Sequence, residues 1–168
     1  MWMKCVLPEA EIRRSTSPEA NELLVGYHLF QTAVFWGTSA RADVFGNAAA
    51  ADAGDLRQAL FVVPGVDFAL AWSQVFSWLD SPEKQWLYEH PDDAARLVLE
   101  KTHPGKVRIF LDWKPEAFLE VDAKELLEVS IEAVDGLVLT LVNHLPQCPA
   151  EDVADSLEEL EQSFSEPE

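Results

Sequence analysis

Cysteine is scarce in this chain: there are two, Cys5 and Cys148, one near each end. Neither belongs to a Cys-x-x-Cys pair or stands at metal-ligand spacing from a histidine. That excludes a disulfide-dense secreted scaffold and fits a reducing compartment. A Cys5–Cys148 bridge is left open, because it depends on distance in the fold. Glycine is sparse too, at seven of 168 residues, and none falls in a G-x-G-x-x-G or P-loop pattern. Phosphate-cradling nucleotide motifs are therefore missing. Long apolar runs are also missing. The longest, residues 68–79, is interrupted by Ser73, Gln74 and Ser77 and is too short to span a bilayer. Residues 1–8 (MWMKCVLP) lack the continuous apolar stretch and small-residue cleavage site of a secretory signal. The expectation is a soluble, cytoplasmic protein without a membrane partner.

Positive charge is the scarcest resource. Twelve Lys and Arg face thirty Asp and Glu, for a net charge of −18. The imbalance is uneven. Residues 1–114 carry 15 acids against 11 bases, whereas residues 115–168 carry 15 acids against Lys124 alone. A field of that sign repels nucleic acid and anionic membranes and steers basic partners inward. Seven of the acids fall within residues 116–135: Glu116, Glu120, Asp122, Glu125, Glu128, Glu132 and Asp135. These seven form the candidate partner-binding set.

Catalytic patterns do not emerge. The histidines His28, His90, His103 and His144 are scattered, with no His-Glu-x-x-His, and no metal, cofactor or catalytic residue is assigned. Ser39 in WGTSA lacks the glycine of a nucleophile elbow. Carboxylates abound, but a glycosidase-type acid needs an apolar pocket that keeps it protonated. Asp112, between Leu111 and Trp113, is the acid to inspect, although a surface strand explains it equally well.

What the chain does have is a core: 48% hydrophobic residues and six tryptophans. Ser17-Pro18-Glu19 reads as a helix start. Leu23, Tyr27, Phe30 and Val34 continue it as a stripe that stops at Gly37; the rival is a pair of strands over the same aromatic, Val-containing stretch. Residues 39–55 read as loop with a short helix, and Pro64-Gly65 as punctuation. Asp67 caps a buried helix over residues 68–79. Ser81-Pro82-Glu83 starts another helix, and residues 92–101 a further one. Beyond the turn His103-Pro104-Gly105, Val107, Ile109, Leu111 and Trp113 alternate as a strand, with residues 118–121 as a second. Asp135-Gly136, between two Val- and Leu-rich runs, reads as a type I′ hairpin turn behind a short helix at residues 122–127. Its competitor is a helix over residues 122–134. In either form Glu128 and Glu132 share a face.

The resulting expectation is an α+β fold: a helical first two thirds, then a mainly antiparallel sheet with a C-terminal hairpin. Residues 1–149 form the domain and residues 150–168 an acidic tail, helical through Val153, Leu157, Leu160 and Phe164 or disordered. Trp72, Phe76, Trp78 and Trp86 belong to the core, with a ligand groove as the lesser reading. The expected function is non-enzymatic: an acidic protein that engages and neutralises a basic protein partner, first of all an immunity or antitoxin-type inhibitor of a toxin. The alternatives are an accessory, adaptor or chaperone protein of a larger machine, such as a secretion system, and a nucleic-acid mimic. An enzyme with a site assembled by the fold ranks last.

Overall fold

A computed structural model of the chain describes residues 1–18, 29–38, 61–90, 96–148 and 153–164. In chain order the elements are β1 (Trp2–Val6), α1 (Glu9–Thr16), β2 (Gln31–Gly37), β3 (Val62–Pro64), α2 (Gly65–Leu79), β4 (Gln85–Glu89), β5 (Arg96–Lys101), β6 (Lys106–Leu111), β7 (Leu119–Asp122), α3 (Ala123–His144), a 3-10 turn (Leu145–Gln147) and α4 (Val153–Phe164). The strands form two antiparallel sheets, ordered β1-β2-β3 and β4-β5-β6-β7. Helices α2 and α3 pack on each other; α2 meets β3 and β4, and α3 meets β1 and β7.

The α+β character holds, but the expected arrangement does not. Strands β1, β2 and β3 come early, and the first two thirds of the chain are not helical. The stripe ending at Val34 gives way to β2, whose residues Thr32 to Gly37 are all buried. A strand buried on both faces reads as a continuous apolar run, without the alternation that would reveal it; residues 19–28 of the expected helix lie outside the described residues. The Ser81-Pro82-Glu83 helix start is a turn instead. Ser81 donates its hydroxyl to the Trp78 carbonyl at 2.8 Å and accepts the Glu83 N–H at 3.3 Å. Strand β4 follows, with Trp86 and Tyr88 inward and Gln85, Leu87 and Glu89 outward. Residues 96–101, expected as helix, form β5, where Leu97, Val98 and Leu99 are all buried.

The C-terminal hairpin is overturned too. Asp135-Gly136 lies in the middle of α3, a single helix. Leu126, Ser130, Val134, Leu137 and Leu141 recur every three or four residues along one buried stripe. Burial of that stripe outweighs the turn propensity of Asp-Gly and the cost of about 1 kcal/mol for a mid-helix glycine. Gly136 itself falls on the open side, where, outside its own helix backbone, no atom of the described residues lies within 4 Å of where a Cβ would sit. Ser130, the one buried polar residue of the stripe, donates its hydroxyl to the Leu126 carbonyl.

The core is aromatic and joins the two sheets through α2. Trp72 on α2 lies 5.8 Å from Trp36 of β2 and 5.5 Å from Trp86 of β4, centroid to centroid. Phe68 lies 6.4 Å from Trp36 and 5.5 Å from Tyr88 in the same way. Lys101 of β5 closes the far end of α2, donating to the carbonyls of Trp78 at 2.8 Å and Ser81 at 2.5 Å, with its ammonium over the Trp78 ring. A cation there satisfies free helix carbonyls and complements the helix dipole. Leu160 of α4 is buried in the same core.

Candidate functional site

The seven candidate acids separate into two groups. Glu116 is exposed in the β6–β7 connection. Glu120 and Asp122 lie on β7 and are neutralised within the chain. Glu120 accepts from Arg108 Nε at 3.2 Å and from Thr102 Oγ1 at 3.4 Å, and Asp122 meets Lys106 Nζ at 2.5 Å. That hydrogen bond, followed by the carboxylate's charge, pushes the Lys106 pKa upward. The other four stand on α3. Glu125, Glu128, Glu132 and Asp135 are spaced by three, four and three residues and lie along one exposed side of the helix. The row runs for about 15 Å, at 1.5 Å of rise per residue. Glu125 lies 3.3 Å from the Met1 amino group. Glu128, Glu132 and Asp135 have no ion pair or hydrogen bond among the described residues.

Two apolar side chains stand in the same row. Ile131 is 45% exposed and Leu139 64%. With Asp135 between them at spacings of four, they form a mixed stripe of acid and hydrocarbon. Composition points to the acids alone; the apolar partners become visible only when α3 is read as a helix rather than a hairpin.

Beside this row lies an open groove of about 730 Å³. One wall is β1 with its flanks, from Met1 to Leu7, and the other is α3, through Val129, Glu132, Ala133, Gly136, Leu137 and Thr140. Glu132 thus belongs to both the acidic row and the groove.

Other chemistry-bearing residues have structural employment. Trp72, Trp78 and Trp86 are buried and Phe76 half-buried, all in or against the core. His90 Nε2 lies 2.9 Å from the Val62 carbonyl, tying β4 to β3. His103 is exposed in the β5–β6 turn, His144 is half-buried on α3, and His28 lies outside the described residues. Asp112 is exposed and accepts the Arg96 N–H at 3.0 Å, a strand-end contact with no apolar pocket around the acid. The Tyr88 hydroxyl donates to Asp67 at 2.7 Å; burial first, then that bond and the carboxylate's charge, hold its proton well above the ordinary tyrosine range. Burial pushes the Cys5 thiol up to about 12, so it stays protonated at neutral pH and is a poor nucleophile. Cys5 and Cys148 are not joined in a disulfide. No group of three or more His, Cys, Asp or Glu among the described residues could hold a metal ion.

A second exposed surface lies on the outer face of β4-β5-β6. Leu87, exposed, pairs across from Val98, which is buried, and Val98 from half-buried Phe110, giving an apolar row open to solvent at Leu87. Trp113, 63% exposed, follows β6. A charged row runs parallel to it: Gln85, Glu100, Arg108 and Glu120 are in register.

No family model, no curated protein and no solved structure matches this chain. Among the described residues no helix is long and apolar enough to cross a membrane.

Proposed function

We propose that this chain is a non-enzymatic binding protein whose α3 face engages a basic protein partner, and that its role is to neutralise that partner, as an immunity or antitoxin-type protein covers a cationic toxin. The observation that carries the reading is the contrast between paired and unpaired acids. Glu128, Glu132 and Asp135 are exposed without a neutralising base among the described residues, while Ile131 and Leu139 interrupt them with hydrocarbon. Uncompensated acids accelerate encounter with a cationic surface and select against anionic ones. Exposed aliphatic anchors supply the desolvated contacts that hold a complex together. The net charge of −18 extends the same field around the site. Two cysteines that are not joined in a disulfide fit a cytoplasmic setting.

A second reading has its own observation. Leu87 and Trp113 are exposed on or beside the outer face of β4-β5-β6, where acids and bases pair off. An adaptor or chaperone would bind there through apolar contact, largely indifferent to salt.

The test is association kinetics against a panel of cationic nuclease domains at low and physiological salt. The acidic-face reading expects steep weakening with salt for a bound member, and loss of binding when Glu128, Glu132 and Asp135 are reversed to lysine. Binding that ignores both changes, yet is lost on Trp113→Ala, would transfer the site to the second sheet.

A further inference from the structure

Among the described residues the order β1-β2-β3 leaves β1 as an edge, paired on one side alone. The hydrogen-bond pattern identifies which backbone groups that edge presents. Val34 donates its N–H to the Phe61 carbonyl, so Val34 points toward the β3 side of β2. In an antiparallel ladder alternate residues bond to opposite neighbours. Cys5, opposite Val34, and Met3, opposite Trp36, therefore turn their N–H and C=O groups away from β2. Trp2, Lys4 and Val6 make the β1–β2 bonds. The outward groups of Met3 and Cys5 have no partner among the described residues, and both residues line the groove between β1 and α3.

Such an edge is a liability unless it is covered, charged or used. The opposite wall is low where it faces β1: Ala133, Gly136 and Thr140 are small, and the space over Gly136 is open to 4 Å. The donor–acceptor repeat of Met3 and Cys5, two residues apart, matches an extended strand, because only an extended strand offers complementary groups at that spacing. Charge selects the strand. Glu132 stands in the α3 wall, with Glu128 and Asp135 one turn to either side; with Glu125 these acids outnumber the bases of the β1 wall, Lys4 and the Met1 ammonium, the latter already paired with Glu125. A second copy of the chain would bring another −18 against the same acids.

We propose that β1 is a docking edge: an extended, Lys- or Arg-bearing segment of the partner adds to it as a further antiparallel strand, lying in the groove against α3. This mode of recognition draws affinity from main-chain bonds and selectivity from alternate side chains. It deepens the acidic-face reading and rests on it for the sign of the ligand's charge.

The probe is a blocked synthetic peptide of alternating Lys and Val, about seven residues long, the length β1 and its flanks span at about 3.3 Å per residue. A twin carries N-methyl groups on the residues that would bond to β1. The expected result is a shift of the Met3 and Cys5 amide signals of the full chain on titration, and a loss of affinity of about tenfold or more for the twin. Gly136→Leu fills the groove at a position with open space, leaves the acidic row intact and should weaken the unmethylated peptide to the same degree. An unchanged melting temperature of that variant shows that the groove, not the fold, was altered. Peptide binding that survives both N-methylation and Gly136→Leu but disappears when Glu128 and Asp135 are reversed overturns strand addition and leaves the acidic face standing. Absence of binding by the unmethylated peptide overturns the proposal. Concentration-dependent dimerisation abolished by Gly136→Leu also overturns it, in favour of self-association.

Discussion

The two sheets are built to opposite specifications. In β1-β2-β3 the central strand is buried on both faces: Val34 and Trp36 join the main core, and Ala33 and Phe35 form a second cluster with Trp2 and Val6 on the other side. In β4-β5-β6-β7 one face is core and the other carries an apolar row and a row of charges that largely cancel. The difference teaches where this chain keeps its spare charge. Acids on the second sheet meet bases on the neighbouring strand, Arg108 for Glu120 and Lys106 for Asp122. Beside the first sheet, α3 presents Glu128, Glu132 and Asp135, which nothing among the described residues neutralises. Among the seven acids of residues 116–135, charge left over after folding lies mainly on α3, with Glu116 exposed in the β6–β7 connection.

The largest expected effect breaks the link between the sheets. Trp72 touches both through Trp36 and Trp86 and is fully buried. Trp72→Ala should lower stability by about 3–5 kcal/mol, measured by denaturant unfolding. A loss under about 1 kcal/mol, ordinary for surface sites, would mean that the sheets do not depend on this bridge. Next comes Leu160, which buries α4 against α2 and α3. Leu160→Ala should cost about 2–5 kcal/mol, and removal of residues 150–168 should lower the melting temperature accordingly. An unchanged transition would show that α4 contributes nothing to the fold.

The same contrast explains what the sequence disclosed. Strands β6 and β7 alternate because one face is wet, and their positions follow from Val107, Ile109, Leu111 and Val121 alone. Strand β2 has no wet face, and its period is hidden. Helix α2 was legible as an apolar block, though it starts at Gly65 rather than after Asp67, whose carboxylate accepts from Tyr88 instead of capping. The seven acids were legible as a cluster by counting, but not their division. That division depends on register: Arg108 opposite Glu120 and Lys106 opposite Asp122 are cross-strand neighbours, a relation no local pattern contains. The groove was invisible for the same reason, since β1 and α3 are far apart in the chain.

A pH titration would sharpen the comparison, because each sheet holds one buried acid with a raised pKa. Cys5 on β1 moves from 9.0 to about 12, by burial. Tyr88 on β4 is raised above its ordinary 10.0 by burial and by Asp67. In both cases the folded state holds its proton more tightly than the unfolded state. The stability so contributed is whole below the ordinary pKa and is lost as pH rises through the shifted one. Stability should therefore decline from about pH 9 upward, in line with that linkage. Cys5→Ala should flatten the first part of the decline and Tyr88→Phe the part above pH 10.0. Alkaline unfolding unaltered by either substitution would show that neither buried proton is coupled to folding.

The smallest effect should come from the charged rungs of the second sheet. Arg108 lies 3.2 Å from Glu120 and stacks its guanidinium 4.5 Å from the Phe118 ring centroid, but both charged partners are more than a third exposed. Solvent screening at such positions limits a pair to about 0–1 kcal/mol. Arg108→Gln should therefore change stability by less than about 1 kcal/mol, with part of any loss due to the stacking on Phe118. Its more telling consequence is electrostatic. The substitution frees Glu120 and adds one uncompensated acid on the sheet that is otherwise balanced. If the α3 face alone receives the basic partner, Arg108→Gln should leave the association rate nearly unchanged, whereas reversing Glu132 should slow it. A rise in association rate for Arg108→Gln comparable to the fall for Glu132→Lys would show that the partner reads the whole field of the molecule, and the distinction between paired and unpaired acids would lose its functional meaning.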